Sequence, residues 1–112
     1  DPLFRAAGTP KRGAQWNNDV VDRLPAGAVP LARTGHGELQ AARFAPTVWG
    51  VQLHPEADER VVAPWAANDR ELYPEGVVDA AVQAIADAHD ELEAAWRPLA
   101  EAFAALADVT RV

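Results

Sequence analysis

The sequence contains neither cysteine nor methionine in its 112 residues. Without cysteine, the chain can form no disulfide, bind no metal through thiolates and supply no thiol nucleophile. Translation begins with methionine, whereas this chain begins with Asp1. We therefore expect a chain that is trimmed or belongs to a longer protein.

Long apolar stretches are also missing. No run approaches the ~18 residues that a membrane-spanning helix needs, and the N-terminus shows no charged-then-apolar leader of the kind that directs export. We therefore expect a cytoplasmic protein without a membrane partner.

Basic charge is scarce, because 17 acidic side chains face 10 lysines and arginines and give a net charge of −7. The excess lies in residues 75–108, which carry eight acids and a single base, Arg97. A chain without a basic stripe is a poor candidate for binding nucleic acid. Its length corresponds to one domain at most.

The residue pattern changes near Asp58, from short strand-like segments joined by turns to helical periodicity. We predict strands at 15–22, 28–33, 38–45 and 48–53, followed by helices at 59–67 and 75–107. The expected fold class is α/β, with short mixed or antiparallel strands in residues 1–57 and helices in residues 58–112. Pro64 should kink or stop the first helix, and Pro98 should kink the second or divide it near Arg97.

The second predicted helix carries an apolar seam that steps alternately by four and three residues. Such a seam either binds a partner helix, giving a homo-oligomer, or packs within its own chain. We favour packing within the chain, because a protein of this size needs that surface for its core. The seam consists of Val78, Val82, Ile85, His89, Leu92, Trp96, Leu99, Phe103 and Leu106.

The last predicted strand ends in His54 and Glu56, two residues apart. Side chains at i and i+2 share one face of a strand, and Pro55 favours an extended His54. A carboxylate beside an imidazole fixes its tautomer and leaves the other nitrogen to activate a nucleophile. On the spacing alone, a surface pair without chemistry is the favoured interpretation. A metal site is a weaker hypothesis, since His36 and His89 are scattered along the chain, and we expect no metal or cofactor.

The string "WGVQLHPE", residues 49–56, resembles the C-terminal signature of class I glutamine amidotransferases, Gly-x-Gln-Phe-His-Pro-Glu. Leu53 stands where phenylalanine is usual. Residues 15–34, "QWNNDVVDRLPAGAVPLART", resemble the strand pair of that family, with Asn17 in place of the usual histidine. Residues 1–4 and 94–106 also resemble free-standing amidotransferase-like proteins, so the resemblance covers nearly the whole chain.

The resemblance implies a Cys-His-Glu triad in which a thiolate attacks the side-chain amide of glutamine, releasing ammonia. His54 corresponds to the general base and acid, and Glu56 to the carboxylate that orients it. The family's cysteine lies on a strand-to-helix elbow in the first half of the domain, which this chain lacks. We therefore expect residues 1–112 to be the second half of such a domain, inactive by itself. The alternative is a non-catalytic amidotransferase-like module that associates through its C-terminal helix.

Overall fold

The structure is a computed structural model and describes residues 1–8 and 12–109. Its sheet has three antiparallel strands in the order β1-β2-β3, namely β1 (Val29–Arg33), β2 (Leu39–Ala45) and β3 (Val48–Val51). The turn between β1 and β2 is closed by bonds from the Gly37 amide to the Thr34 carbonyl and from the Thr34 amide to the Glu38 carbonyl. Gly37 has a φ of 90°, a conformation that costs glycine little.

Three α-helices follow the sheet: α1 (Glu59–Asp69), α2 (Val77–Asp87) and α3 (His89–Val109). Single turns of 3-10 helix lie at Phe4–Ala7 and Arg70–Leu72. The chain is thus a small α/β domain with a three-stranded antiparallel sheet and C-terminal helices, as the coarse pattern predicted. No helix within the described part of the chain has both the length and the apolar character to cross a membrane.

The prediction of a strand at 15–22 is wrong, because these residues are all described and form no strand. Their polar side chains explain the difference. Asn17 Nδ2 donates to the Asp19 backbone carbonyl in a local turn, and Tyr73 Oη donates to Asn18 Oδ1. Asparagine competes with regular backbone pairing in this way. The last strand is also shorter than predicted, ending at Val51 instead of residue 53.

The predicted helix at 75–107 is two helices, and the break falls at Ala88, not near Arg97. Charge at the helix ends accounts for the position. Asp87 is unfavourable at the C-terminus of α2, whereas Asp90 and Glu91 lie in the first turn of α3, where the helix dipole favours acids. The Leu92 amide donates to the Ala88 carbonyl at 2.8 Å, which starts α3.

Neither proline ends or divides its helix, so of the predicted alternatives only a kink is left at Pro64 and at Pro98, and it stays a prediction. α1 continues past Pro64 to Asp69, and α3 continues past Pro98. A proline lacks the amide that would bond the carbonyl four residues earlier. Those carbonyls belong to Arg60 and Ala94, both exposed residues, so water can satisfy them.

The core lies between the helices, the end of the sheet and the N-terminal segment. Five of the nine seam residues are buried within the chain, so the seam packs intramolecularly as favoured above; they are Val78, Ile85, Leu92, Trp96 and Leu99. Phe103, near the end of the seam, is 54% exposed. Of the buried seam residues, all but Val78 belong to one apolar cluster, which also contains Leu3, Ala14, Leu53, Ala57 and Val62.

Candidate active site

His54 and Glu56 lie in a β-turn just beyond the sheet. The Ala57 amide donates to the His54 carbonyl at 3.2 Å, which places Pro55 at the second position of the turn, where its fixed φ is favourable. Asp58 then caps α1, its carboxylate accepting bonds from the amides of Arg60 and Val61. The pair therefore stands in the connection between β3 and α1.

His54 Nδ1 lies 2.9 Å from Glu56 Oε1, so the two side chains are neighbours as predicted. The reason is different, however, because a turn brings them together and not a continuing extended strand. Leu53 points into the core at 5% exposure, while the side chains of His54 and Glu56 are 29% and 58% exposed. A contact this exposed adds little stability.

The second ring nitrogen, His54 Nε2, lies 3.0 Å from the backbone carbonyl of Trp16. A carbonyl oxygen only accepts, so Nε2 is the donor in this contact. Glu56 also accepts when ionised. Both contacts are therefore hydrogen bonds at once only when the imidazole carries two protons.

Residues 12–16 hold this region through three alternate backbone carbonyls. The Arg12 carbonyl accepts from Trp96 Nε1 at 2.9 Å, the Ala14 carbonyl from the His54 amide at 2.9 Å, and the Trp16 carbonyl from the His54 ring. The segment thus fixes both the backbone and the ring of His54. The sequence pattern did not indicate this role, because a main-chain acceptor has no residue signature.

α1 contributes two more side chains to this region that the sequence pattern did not indicate. The Trp65 ring packs against the His54 ring at a centroid distance of 4.9 Å, and Asp69 Oδ2 accepts from Trp16 Nε1 at 2.9 Å. Trp65 and Asp69 are four residues apart and so share one face of the helix. That spacing was the available signal, although nothing in it names His54 as the target.

A groove of about 520 Å³ runs beside α3, and its wall includes Pro55 and Glu56 but not His54. Apolar side chains of α3, among them Leu92 and Trp96, also line it. Because the imidazole does not face it, we place no substrate there.

A second histidine–carboxylate cluster joins the starts of α1 and α3. His89 Nδ1 lies 2.9 Å from Glu59 Oε2, and this bond is the main cause of a raised pKa for His89 and a lowered pKa for Glu59. The pKa of Asp58 is lowered chiefly by the bond from the Val61 amide. Ligand atoms of Asp58, Glu59 and His89 lie within 4.8 Å of one another. They already pair with each other or cap α1, and we assign no metal to them. His36 lies apart, in an exposed turn.

Comparison of the chain with protein-family models, with curated proteins and with solved structures gave no match. Any assignment of function therefore depends on the residues and their geometry.

Proposed function

We propose that His54 and Glu56 are the imidazole and carboxylate of a Cys-His-Glu triad in a class I glutamine amidotransferase-like enzyme, whose cysteine lies on polypeptide outside this sequence. The observation that most directly supports this proposal is the 2.9 Å contact between His54 Nδ1 and Glu56 Oε1 within a His-Pro-Glu turn. Under this proposal the fold corresponds to the second half of that enzyme's domain, and its location is cytoplasmic.

In the proposed reaction the thiolate attacks the side-chain amide carbon of glutamine. The carbon–nitrogen bond breaks, and the proton that His54 took from the thiol leaves with ammonia. Water then hydrolyses the thioester, with His54 again accepting a proton. Glu56 orients the ring through Nδ1, which leaves Nε2 for the sulfur.

In this chain the Trp16 carbonyl lies at His54 Nε2, the nitrogen that must exchange a proton with the sulfur in this reaction. The sulfur would therefore replace that carbonyl as the partner of Nε2. A doubly protonated ring suits either partner, since an imidazolium also pairs with a thiolate.

The isolated chain should release no ammonia from glutamine above a His54→Ala control, because it has no thiol. Co-expression with the polypeptide encoded upstream of Asp1 in the same reading frame should give glutaminase activity. His54→Ala should then lower that activity by roughly 10²–10⁴-fold, the usual contribution of a general acid–base. Glu56→Gln should lower it less, and Glu38→Gln, an exposed hairpin carboxylate, should leave it unchanged.

Besides an absence of glutaminase activity on co-expression, two results would contradict the proposal. One is ammonia release by the 112-residue chain alone. The other is an upstream reading frame without a cysteine on a Gly-x-Cys-x-Gly elbow.

The second candidate function is association without catalysis through α3. The observation that favours it is the exposed Phe103 together with the nearby groove, whose wall includes Ala100 and Ala104. The burial of most of the seam confines such a surface to the last turns of α3. An upstream sequence without the cysteine elbow would favour this candidate over the enzyme.

A further inference from the structure

The His54 ring touches α1 on one side and Trp16 at one of its nitrogens. Trp65 packs against it at a centroid distance of 4.9 Å and an interplanar angle of 54°. The Trp65 ring also contacts the Trp16 ring, at 6.3 Å and 60°. Tilted arrangements at these separations are favourable for aromatic groups. One α1 side chain therefore packs against both the imidazole and the residue whose carbonyl accepts from it.

Asp69 closes this set of contacts from the next turn of α1. Its Oδ2 accepts from Trp16 Nε1 at 2.9 Å, while the Trp16 carbonyl lies 3.0 Å from His54 Nε2. Residues 17–22, which follow Trp16, have no regular structure and are exposed. The indole bond to Asp69 is therefore a direct tie between Trp16 and a helix.

Glu56 alone restrains the imidazole poorly. Its carboxylate is 58% exposed and offers one contact to one nitrogen, and an exposed pair of this kind is weak. An imidazole held at one atom can still swing about that contact. Fixing its plane takes packing on a face and a partner at the second nitrogen.

From this geometry we infer that Trp65 and Asp69 are positioning residues for His54. Trp65 fixes the plane of the ring by packing, and Asp69 fixes the acceptor at Nε2 by holding Trp16. Their catalytic meaning rests on the proposed function, whereas the positioning itself is a property of the described chain. Under the proposed reaction, Trp65 holds the plane of the ring that a sulfur meets at Nε2 once it replaces the Trp16 carbonyl, and Asp69 keeps Trp16 beside the ring.

Nuclear magnetic resonance of the full 112-residue chain, with ¹⁵N-labelled histidine, tests this inference. The readout is the solvent-exchange rate of the His54 Nε2–H proton at one fixed pH. Trp65→Leu removes the aromatic face, and Trp65→Phe retains one. Asp69→Leu removes the acceptor, and Asp69→Asn retains an oxygen for the Trp16 indole. Trp49→Phe is the matched control, because the Trp49 indole bonds Asp1 instead.

Exchange should rise by roughly tenfold in Trp65→Leu and in Asp69→Leu, as expected when about one hydrogen bond is lost. It should stay near the wild-type rate in Trp65→Phe, Asp69→Asn and Trp49→Phe. Unchanged exchange in both leucine variants would overturn the inference, and so would an equal rise in Trp49→Phe, which would indicate general loosening.

Backbone amide spectra identify any variant that fails to fold. Should Trp65→Leu unfold, the Asp69→Leu and Asp69→Asn pair decides the question. This outcome is independent of the enzyme assay: an absence of glutaminase activity on co-expression counts against the proposed function, but it does not alter the exchange rates measured on this chain.

Discussion

His89 and Glu59 form a second histidine–carboxylate contact close after the His-Pro-Glu turn, and it makes stability depend on pH. The pKa of Glu59 is lowered from its ordinary 4.5, so its contribution is present above pH 4.5 and is lost as pH falls through the lowered value. The pKa of His89 is raised from its ordinary 6.5, so its contribution is present below pH 6.5 and is lost as pH rises through the raised value. The pair should stabilise the folded chain most between pH 4.5 and pH 6.5.

The matched test compares His89→Gln with the wild type by chemical denaturation across pH 4 to 9. Glutamine can still donate to Glu59 but carries no charge. The difference in unfolding free energy should be largest between about pH 4.5 and 6.5 and should shrink at high salt. His36→Gln, which changes an exposed turn histidine, should show no such maximum. A difference that is flat with pH would contradict a charged pair.

Asp58 is the residue that starts α1, since its carboxylate accepts bonds from two first-turn amides at 2.9 and 3.0 Å. Asp58→Ala removes both acceptors and should lower the melting temperature. Asp58→Asn should keep the melting temperature close to that of the wild type, because asparagine caps a helix about as well as aspartate. Differential scanning calorimetry measures both. Equal losses in the two variants would mean that the ion pair with Arg60, and not the cap, is what matters.

At the scale of one element, α3 shows the difference between a buried and an exposed seam position. Leu99 is 7% exposed and Phe103 is 54% exposed. Leu99→Ala should cost about 2–5 kcal/mol of unfolding free energy, the usual range for truncating a buried leucine. Phe103→Ala should stay within about 0.5 kcal/mol at the lower protein concentration, where single chains dominate. Urea titrations at two protein concentrations measure both. A larger loss of unfolding free energy in Phe103→Ala that depends on protein concentration would show that the seam forms a contact between chains.

The sequence predicted these elements best where the pattern was local. β1 and β2 agree with prediction within a residue at each end, and the start of α1 at Glu59 follows from Asp58 as a cap. The break at Ala88 was missed because it is a matter of helix-end charge, whereas the apolar seam runs through it without interruption. The predicted effect of Pro98 was too strong. The free-energy cost of a proline inside a helix depends on whether the Ala94 carbonyl can reach water, and tertiary packing decides that.

The site was predictable only in part for a similar reason. His54 and Glu56 are close in sequence, so their contact followed from their spacing. Trp16 is 38 residues from His54 and contacts its ring through a backbone carbonyl. Asp69, 15 residues from His54, accepts from the Trp16 indole. Contacts between distant segments have no periodicity to reveal them.

At the scale of the whole molecule, association is still a prediction. We expect a homodimer or larger assembly that tightens as salt rises, because the acidic helical segments repel one another at low ionic strength. Phe103, Val48 and Val51 are among the exposed apolar side chains available for it. Sedimentation velocity at low and high salt measures the mass. A 12 kDa species at both salts and at high protein concentration would mean that the chain closes its own apolar surface.

The three carbonyls of residues 12–16 also bear on the order of folding. The bond from Trp96 to Arg12 spans 84 residues, and the ring contact of His54 with Trp16 spans 38. Contacts between such distant segments require long loops to close, whereas the β1–β2–β3 meander and the helices form from neighbouring residues. In pulse-labelling hydrogen exchange, the His54 amide should become protected after the amides of β2 do. The imidazole would then acquire its orientation late in folding, when residues 12–16 dock on structure that has already formed.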